Sequence, residues 1–170
     1  MSNETATTEA NSTWVGPSAP QRLNLLRAAK SVAIVGASTN PARAAYFVAT
    51  YLQSSAPYKL YFINPRATEL LGEPVYPSLD DLPEVPDVVV AFRRNQDLPS
   101  VAEDAVRVGA KVFWAQLGLW NEEAARIAEA GGLAAVMNRC IKIEHARFHG
   151  GLHLAGFDTG VISSKRQLRA

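Results

Sequence analysis

The chain has 170 residues, 48% apolar and 19% charged, with a formal net charge of +1. This suits one globular domain, able to bury roughly two thirds of its unfolded surface, and it excludes a broad electrostatic drive toward nucleic acid or a membrane surface. The single cysteine, Cys140, excludes an internal disulfide, no apolar run is long enough to span a bilayer, and no leader pattern opens the sequence, so a cytoplasmic location is expected.

Residues 1–17 are rich in Ser, Thr, Asn and Ala without periodicity and read as a disordered tail. The leucines at 23, 25 and 26 suit a short helix over 20–30. Strand and helix then alternate. Strands are expected at 31–35, 59–63, 87–92, 111–115 and 133–137. Helices are expected at about 42–53, at 98–108 and after Asn121, whose side chain can cap the next turn. The link 66–82 holds Gly72 and Pro74, with a helical turn expected at 68–71, and 141–149 can be helical. Five strands in this rhythm predict a doubly wound, mainly parallel, three-layer α/β sheet of the Rossmann-like kind. Residues 18–148 would form the domain and 149–170 a C-terminal extension.

The stretch 31–41, Ser-Val-Ala-Ile-Val-Gly-Ala-Ser-Thr-Asn-Pro, carries the most information. A buried strand runs into a glycine turn, and Asn40 and Pro41 suit the start of a helix. Free N–H groups of such a turn bind phosphate in doubly wound folds, at the carboxyl ends of the strands. The other strand ends bring Asn64, Pro65 and Arg66, then Phe92, Arg93 and Arg94, then Gln116 and Gly118, then Asn138, Arg139 and Cys140. These ends carry arginines and no carboxylate, which favours an anionic ligand.

The dinucleotide fingerprint G-x-G-x-x-G is met only at Gly36; Ser38 and Pro41 stand at the second and third glycines. Asn64 stands where an acid would hold the ribose of NAD, while Arg66 suits an extra phosphate. NAD is disfavoured, and NADP or coenzyme A stays open. No Ser-His-Asp order, carboxylate pair or P-loop supports catalysis. His145, His149 and His153 share a spacing of four, but Gly150-Gly151 interrupts any helix there, and no metal site is expected. Cys140 reads first as a small buried apolar residue and second as a thiol able to form a mixed disulfide with a ligand thiol.

Taken in order, Val35-Gly36-Ala37-Ser38, Asn40-Pro41, Asn64-Pro65, the run from Val88 to Arg93, the run from Val112 to Gly118, Asn121-Glu122-Glu123, Asn138-Arg139-Cys140 and Glu144-His145 resemble the small stand-alone coenzyme A-binding proteins. Their domain is similar to that of the succinyl-CoA synthetase α subunit. The resemblance covers about residues 20–148, and departs where Asn138 replaces the family's usual acid. It implies a coenzyme A or acyl-CoA ligand. Gly36, Ala37 and Ser38 would hold the diphosphate, with Asn40 and Arg43 beside them. Asn64, Pro65, Arg66, Phe92 and Arg93 would flank the adenosine end, and Gln116 and Gly118 the pantetheine. The expected function is non-catalytic binding, with an NADP-dependent oxidoreductase or nucleotide-sensing module as the alternative. A homodimer or a separate ligase subunit stays open as a partner.

Overall fold

The computed structural model of the protein describes residues 13–149. The tail expected at 1–12 and the C-terminal extension expected at 150–170 lie outside them. Helix α1 (Ala19–Ala28) leads into strand β1 (Ser31–Val35), followed by α2 (Ala44–Ser55) and β2 (Lys59–Ile63). Two short strands, β3 (Glu69–Leu70) and β4 (Glu73–Tyr76), precede β5 (Val88–Ala91). Then come α3 (Leu98–Val108), β6 (Val112–Ala115), α4 (Glu122–Ala130), β7 (Ala134–Val136) and α5 (Ile141–His149).

The sheet has seven strands in the order β3-β4-β2-β1-β5-β6-β7, all parallel except the β3–β4 pair. The five expected strands form its centre and one edge. The helical turn expected at 68–71 is corrected to strand β3, which pairs Glu69 with Pro74 and Leu70 with Glu73. Local sequence there is ambiguous, and the pairing with β4 decides it.

Strand residues alternate between two cores. Val32 and Ile34, Val88 and Val90, and Val112 and Trp114 face α1, α2 and α5, meeting Leu26, Val48, Leu52 and Ile141. Ala33 and Val35, Val89 and Ala91, and Phe113 and Ala115 face α3 and α4. There Ala102 and Ala105 meet Ala124, Ala125 and Ala128, whose small side chains let the two helices approach closely. Both faces of the central strands are therefore dry, as their unbroken valine runs demand.

The tail expected to reach residue 17 is corrected over its last part. Trp14 is buried, its ring edge-on to Trp120 at 5.4 Å, and its indole N–H donates to Glu129 Oε2 at 3.1 Å. Ser18 and Gln21 then form a reciprocal capping box at the start of α1. Arg22 and Glu144, both buried, pair at 2.6 Å and tie α1 to α5.

Candidate functional site

The strand order reverses direction between β1 and β5, because β2 lies to one side of β1 and β5 to the other. A crevice outside the carboxyl ends of the strands is expected at such a switch point. Gly36 sits at its floor with φ of +91°. A Cβ on Gly36 would overlap the Phe92 carbonyl oxygen and lie 3.2 Å from the Phe92 Cβ. The glycine is thus required by the close approach of β5, as well as by its left-handed backbone.

The hydrogen bonds of this turn occupy two of the donors in the expected phosphate cradle. The N–H groups of Gly36 and Ala37 both donate to Ile63 O, at 3.0 and 3.2 Å, and are not free. Asn64 completes the clamp: its Nδ2 donates to Ala37 O at 2.7 Å, and its Oδ1 accepts from Arg66 N at 2.7 Å. Asn64 is therefore the residue that joins the β2 end to the first loop, an arrangement an acid could not make, since it has no donor.

The helix start is also shifted. Asn40 does not cap α2; its Oδ1 accepts from Ala42 N at 2.9 Å and its carbonyl from Arg43 N at 3.0 Å, closing a turn of its own. Asn40 N in turn donates to Ser38 Oγ at 3.0 Å. Helix α2 begins at Ala44, with Arg43 at the N-cap position and no side-chain cap. Among the described residues the N–H groups of Ser38, Thr39, Ala44 and Ala45 have no protein partner. The donors open to an anion lie one step further along the chain than the sequence suggested.

Arg43, Arg66 and Arg93 are exposed on this edge, and among the described residues none has a carboxylate partner. Arg94, by contrast, pairs with Asp97 at 3.3 Å. Phe92 is half-buried and Pro65 exposed beside them. The expected residues after β6 divide. Gln116 is buried, and its Oε1 accepts from Ile141 N at 3.0 Å, capping the start of α5 rather than facing outward. Gly118 is exposed, its N–H donating to Asn138 Oδ1 at 2.7 Å, and the neighbouring Leu117 is exposed as well.

Asn138 adopts a left-handed backbone at φ of 58°, which Asn tolerates better than most residues. Its amide thus ties the ends of β6 and β7. Trp114 is fully buried and donates from its indole N–H to Arg139 O at 2.8 Å. Cys140 is half-buried against the α1, α2 and α5 core. His145 is buried between Tyr51 and Tyr58, its Nδ1 3.0 Å from Tyr51 Oη. The side chain of His149, and His153, lie outside the described residues. Burial pushes the Tyr58 hydroxyl up to about 12, with the neighbouring Tyr51 adding to the rise. No helix among the described residues is long and apolar enough to cross a membrane.

A mostly parallel, doubly wound sheet flanked by helices, with a glycine turn at its switch point, defines a Rossmann-like class of α/β domain. The chain matches the CoA binding domain family over residues 30–146, and it belongs to that family. An uncharacterized protein of Bacillus subtilis (strain 168), YneT, is 38% identical over 130 residues, covering 76% of this chain and 96% of its own. A solved structure of a hypothetical protein from Pyrococcus horikoshii OT3 is 38% identical with a TM-score of 0.76, covering 79% of this chain and 94% of that one. A dinucleotide-forming acetyl-coenzyme A synthetase from Ca. Korarchaeum cryptofilum aligns with a TM-score of 0.58 at 29% identity, over 64% of this chain and 26% of the synthetase.

Proposed function

We propose that this protein binds coenzyme A or an acyl-CoA, reversibly and without transforming it, at the carboxyl edge of its sheet. The observation that carries the reading is the trio Arg43, Arg66 and Arg93, exposed without ion-pair partners among the described residues, on the edge where Ser38, Thr39, Ala44 and Ala45 offer N–H groups that no described residue takes. The uncapped start of α2 attracts the diphosphate, and the helix dipole adds to that attraction. Asn64, Pro65, Arg66, Phe92 and Arg93 flank the adenosine and its 3′-phosphate. Leu117 and Gly118, rather than Gln116, offer the surface for the pantetheine arm.

Calorimetry on protein stripped of ligand tests this with coenzyme A, 3′-dephospho-coenzyme A, NADP and NAD. The expected result is coenzyme A bound tightest, with affinity falling when the 3′-phosphate is absent. Preference for NADP would favour the oxidoreductase or nucleotide-sensing alternative, and binding of none of the four would sink both.

A further inference from the structure

Beyond the switch point, the row of strand ends runs from β1 through β5 and β6 to β7, three inter-strand spacings or about 14 Å. A pocket of about 290 Å³ lies at the far end of that row. Trp120 from the loop after β6 and Met137 and Arg139 from the end of β7 form one side; Trp14, Pro17 and Arg22 from the N-terminal segment and α1 form the other. The pantetheine arm of coenzyme A is of comparable length to the row, so a ligand anchored by its diphosphate at β1 would deliver its thioester end here.

The chemistry of the walls narrows what that end carries. The volume is at the small end for ligand pockets, which suits a short chain rather than a fatty one. Two indoles and a methionine supply apolar contact. Arg22 is 7% exposed, and its described bonds use Nε, to Glu144, and Nη1, to Pro17 O, leaving Nη2 without a partner among the described residues. Glu144, the carboxylate paired with Arg22, is shared with Arg147 at 3.7 Å, and Glu129 accepts from the Trp14 indole, so among these described residues the guanidiniums of Arg22, Arg139 and Arg147 outnumber the two carboxylates. Arg139 adds a second guanidinium with no carboxylate partner among the described residues. Trp120 contributes an indole N–H that is buried without an acceptor among the described residues.

We propose that this pocket receives the acyl end of a short acyl-CoA whose chain terminates in a carboxylate, held by Arg139 and Arg22. The proposal rests on coenzyme A binding at the β1 end of the same edge. A carboxylate accepts from guanidinium groups in fixed geometry, which a methyl terminus of the same size cannot do.

The test compares coenzyme A, butyryl-CoA, succinyl-CoA and palmitoyl-CoA by calorimetry on the full chain. Butyryl and succinyl chains have the same four carbons and differ in ending on a methyl group or a carboxylate. Succinyl-CoA is expected to bind tighter than butyryl-CoA by roughly tenfold or more. Arg139→Gln, at an exposed side chain, is expected to bring the two together while the melting temperature holds. With coenzyme A bound, succinyl-CoA no tighter than butyryl-CoA would overturn this inference alone, as would palmitoyl-CoA binding tightest. An unchanged ratio in Arg139→Gln would overturn it too. If that variant fails to fold, the wild-type ratio decides. No binding of coenzyme A overturns this inference together with the function it rests on.

Discussion

Gly36→Ala separates two accounts of the first loop. If the glycine exists only to let a ligand approach, adding a methyl group should weaken ligand binding and leave the fold alone. The structure gives the opposite expectation. The new Cβ would overlap the Phe92 carbonyl oxygen and sit 3.0 Å from its carbon, so the β5 end must move away from β1. The Phe92 N–H bond to Val35 O, at 2.8 Å, stands in the path of that movement. The backbone at φ of +91° adds about 1–2 kcal/mol of strain for a residue with a Cβ. Displacing packed backbone adds about 1–3 kcal/mol more, by analogy with overpacked cores. Urea denaturation should therefore show a loss of about 2–5 kcal/mol, a melting shift of roughly 4–20 °C in a chain of this size. Gly118→Ala is the matched control: φ is +88°, but no atom of the described residues lies within 4 Å of the added Cβ, so among them only the strain applies. Equal stability losses in the two variants, or a Gly36→Ala protein as stable as wild type, would refute the argument that the Phe92 backbone dictates this glycine.

Four further outcomes are expected. Arg66→Ala and Arg93→Ala, both at exposed positions, should lower coenzyme A affinity by about 1.5–3 kcal/mol each in calorimetry with melting temperatures unchanged; Arg66→Ala should also erase discrimination against 3′-dephospho-coenzyme A. Glu144→Ala leaves the Arg22 guanidinium buried and uncompensated and should cost about 3–5 kcal/mol by urea denaturation, whereas a loss under about 1 kcal/mol would mean the pair is solvated. Tyr58 ionises near 10 when unfolded but holds its proton to about 12 when folded, so its contribution is whole below pH 10 and is lost as pH rises through 12; stability from urea denaturation at pH 8, 10 and 11 should fall, by about 1.4 kcal/mol from this group at pH 11, and fall less in Tyr58→Phe. Trp14→Ala removes the edge contact to Trp120 and should lower stability by about 1–3 kcal/mol and alter tryptophan emission, and an unchanged melting temperature would show residues 14–17 to be undocked in solution.

How far the sequence revealed these features follows from how local each one is. The strands β1, β5 and β6 are runs of apolar residues buried on both faces, a pattern visible without knowing their partners. Asn121 as a cap is a signal four residues wide, and its Oδ1 accepts from Ala124 N at 3.0 Å as expected. β3 and β4 were illegible because two and four residues carrying Glu73 and Pro74 have little strand preference of their own. Trp14 stood alone in a polar stretch, and its burial depends on Trp120 and Glu129, more than a hundred positions away. A lone tryptophan beside Gly16-Pro17 was the available hint of docking.

The candidate site shows the same division at finer scale. Sequence order put Gly36, Ser38, Asn64, Arg66, Phe92, Arg93 and Gly118 on one edge, because every parallel strand delivers its end to the same side. Which groups on that edge are free was another matter. Gly36 and Ala37 N–H are taken by Ile63 O, and Gln116 Oε1 by Ile141 N, through bonds between elements far apart in sequence. Buried polar groups must be satisfied, so the fold claims the donors and acceptors nearest its core first. What remains for a ligand is the outer remainder: Ser38 and Thr39, the first turn of α2, and arginines with no carboxylate partner among the described residues. That ordering explains why an asparagine, not an acid, ends β2. Asn64 must donate to Ala37 O and accept from Arg66 N at once, and in doing so it keeps negative charge away from the place where the ligand's phosphates would lie.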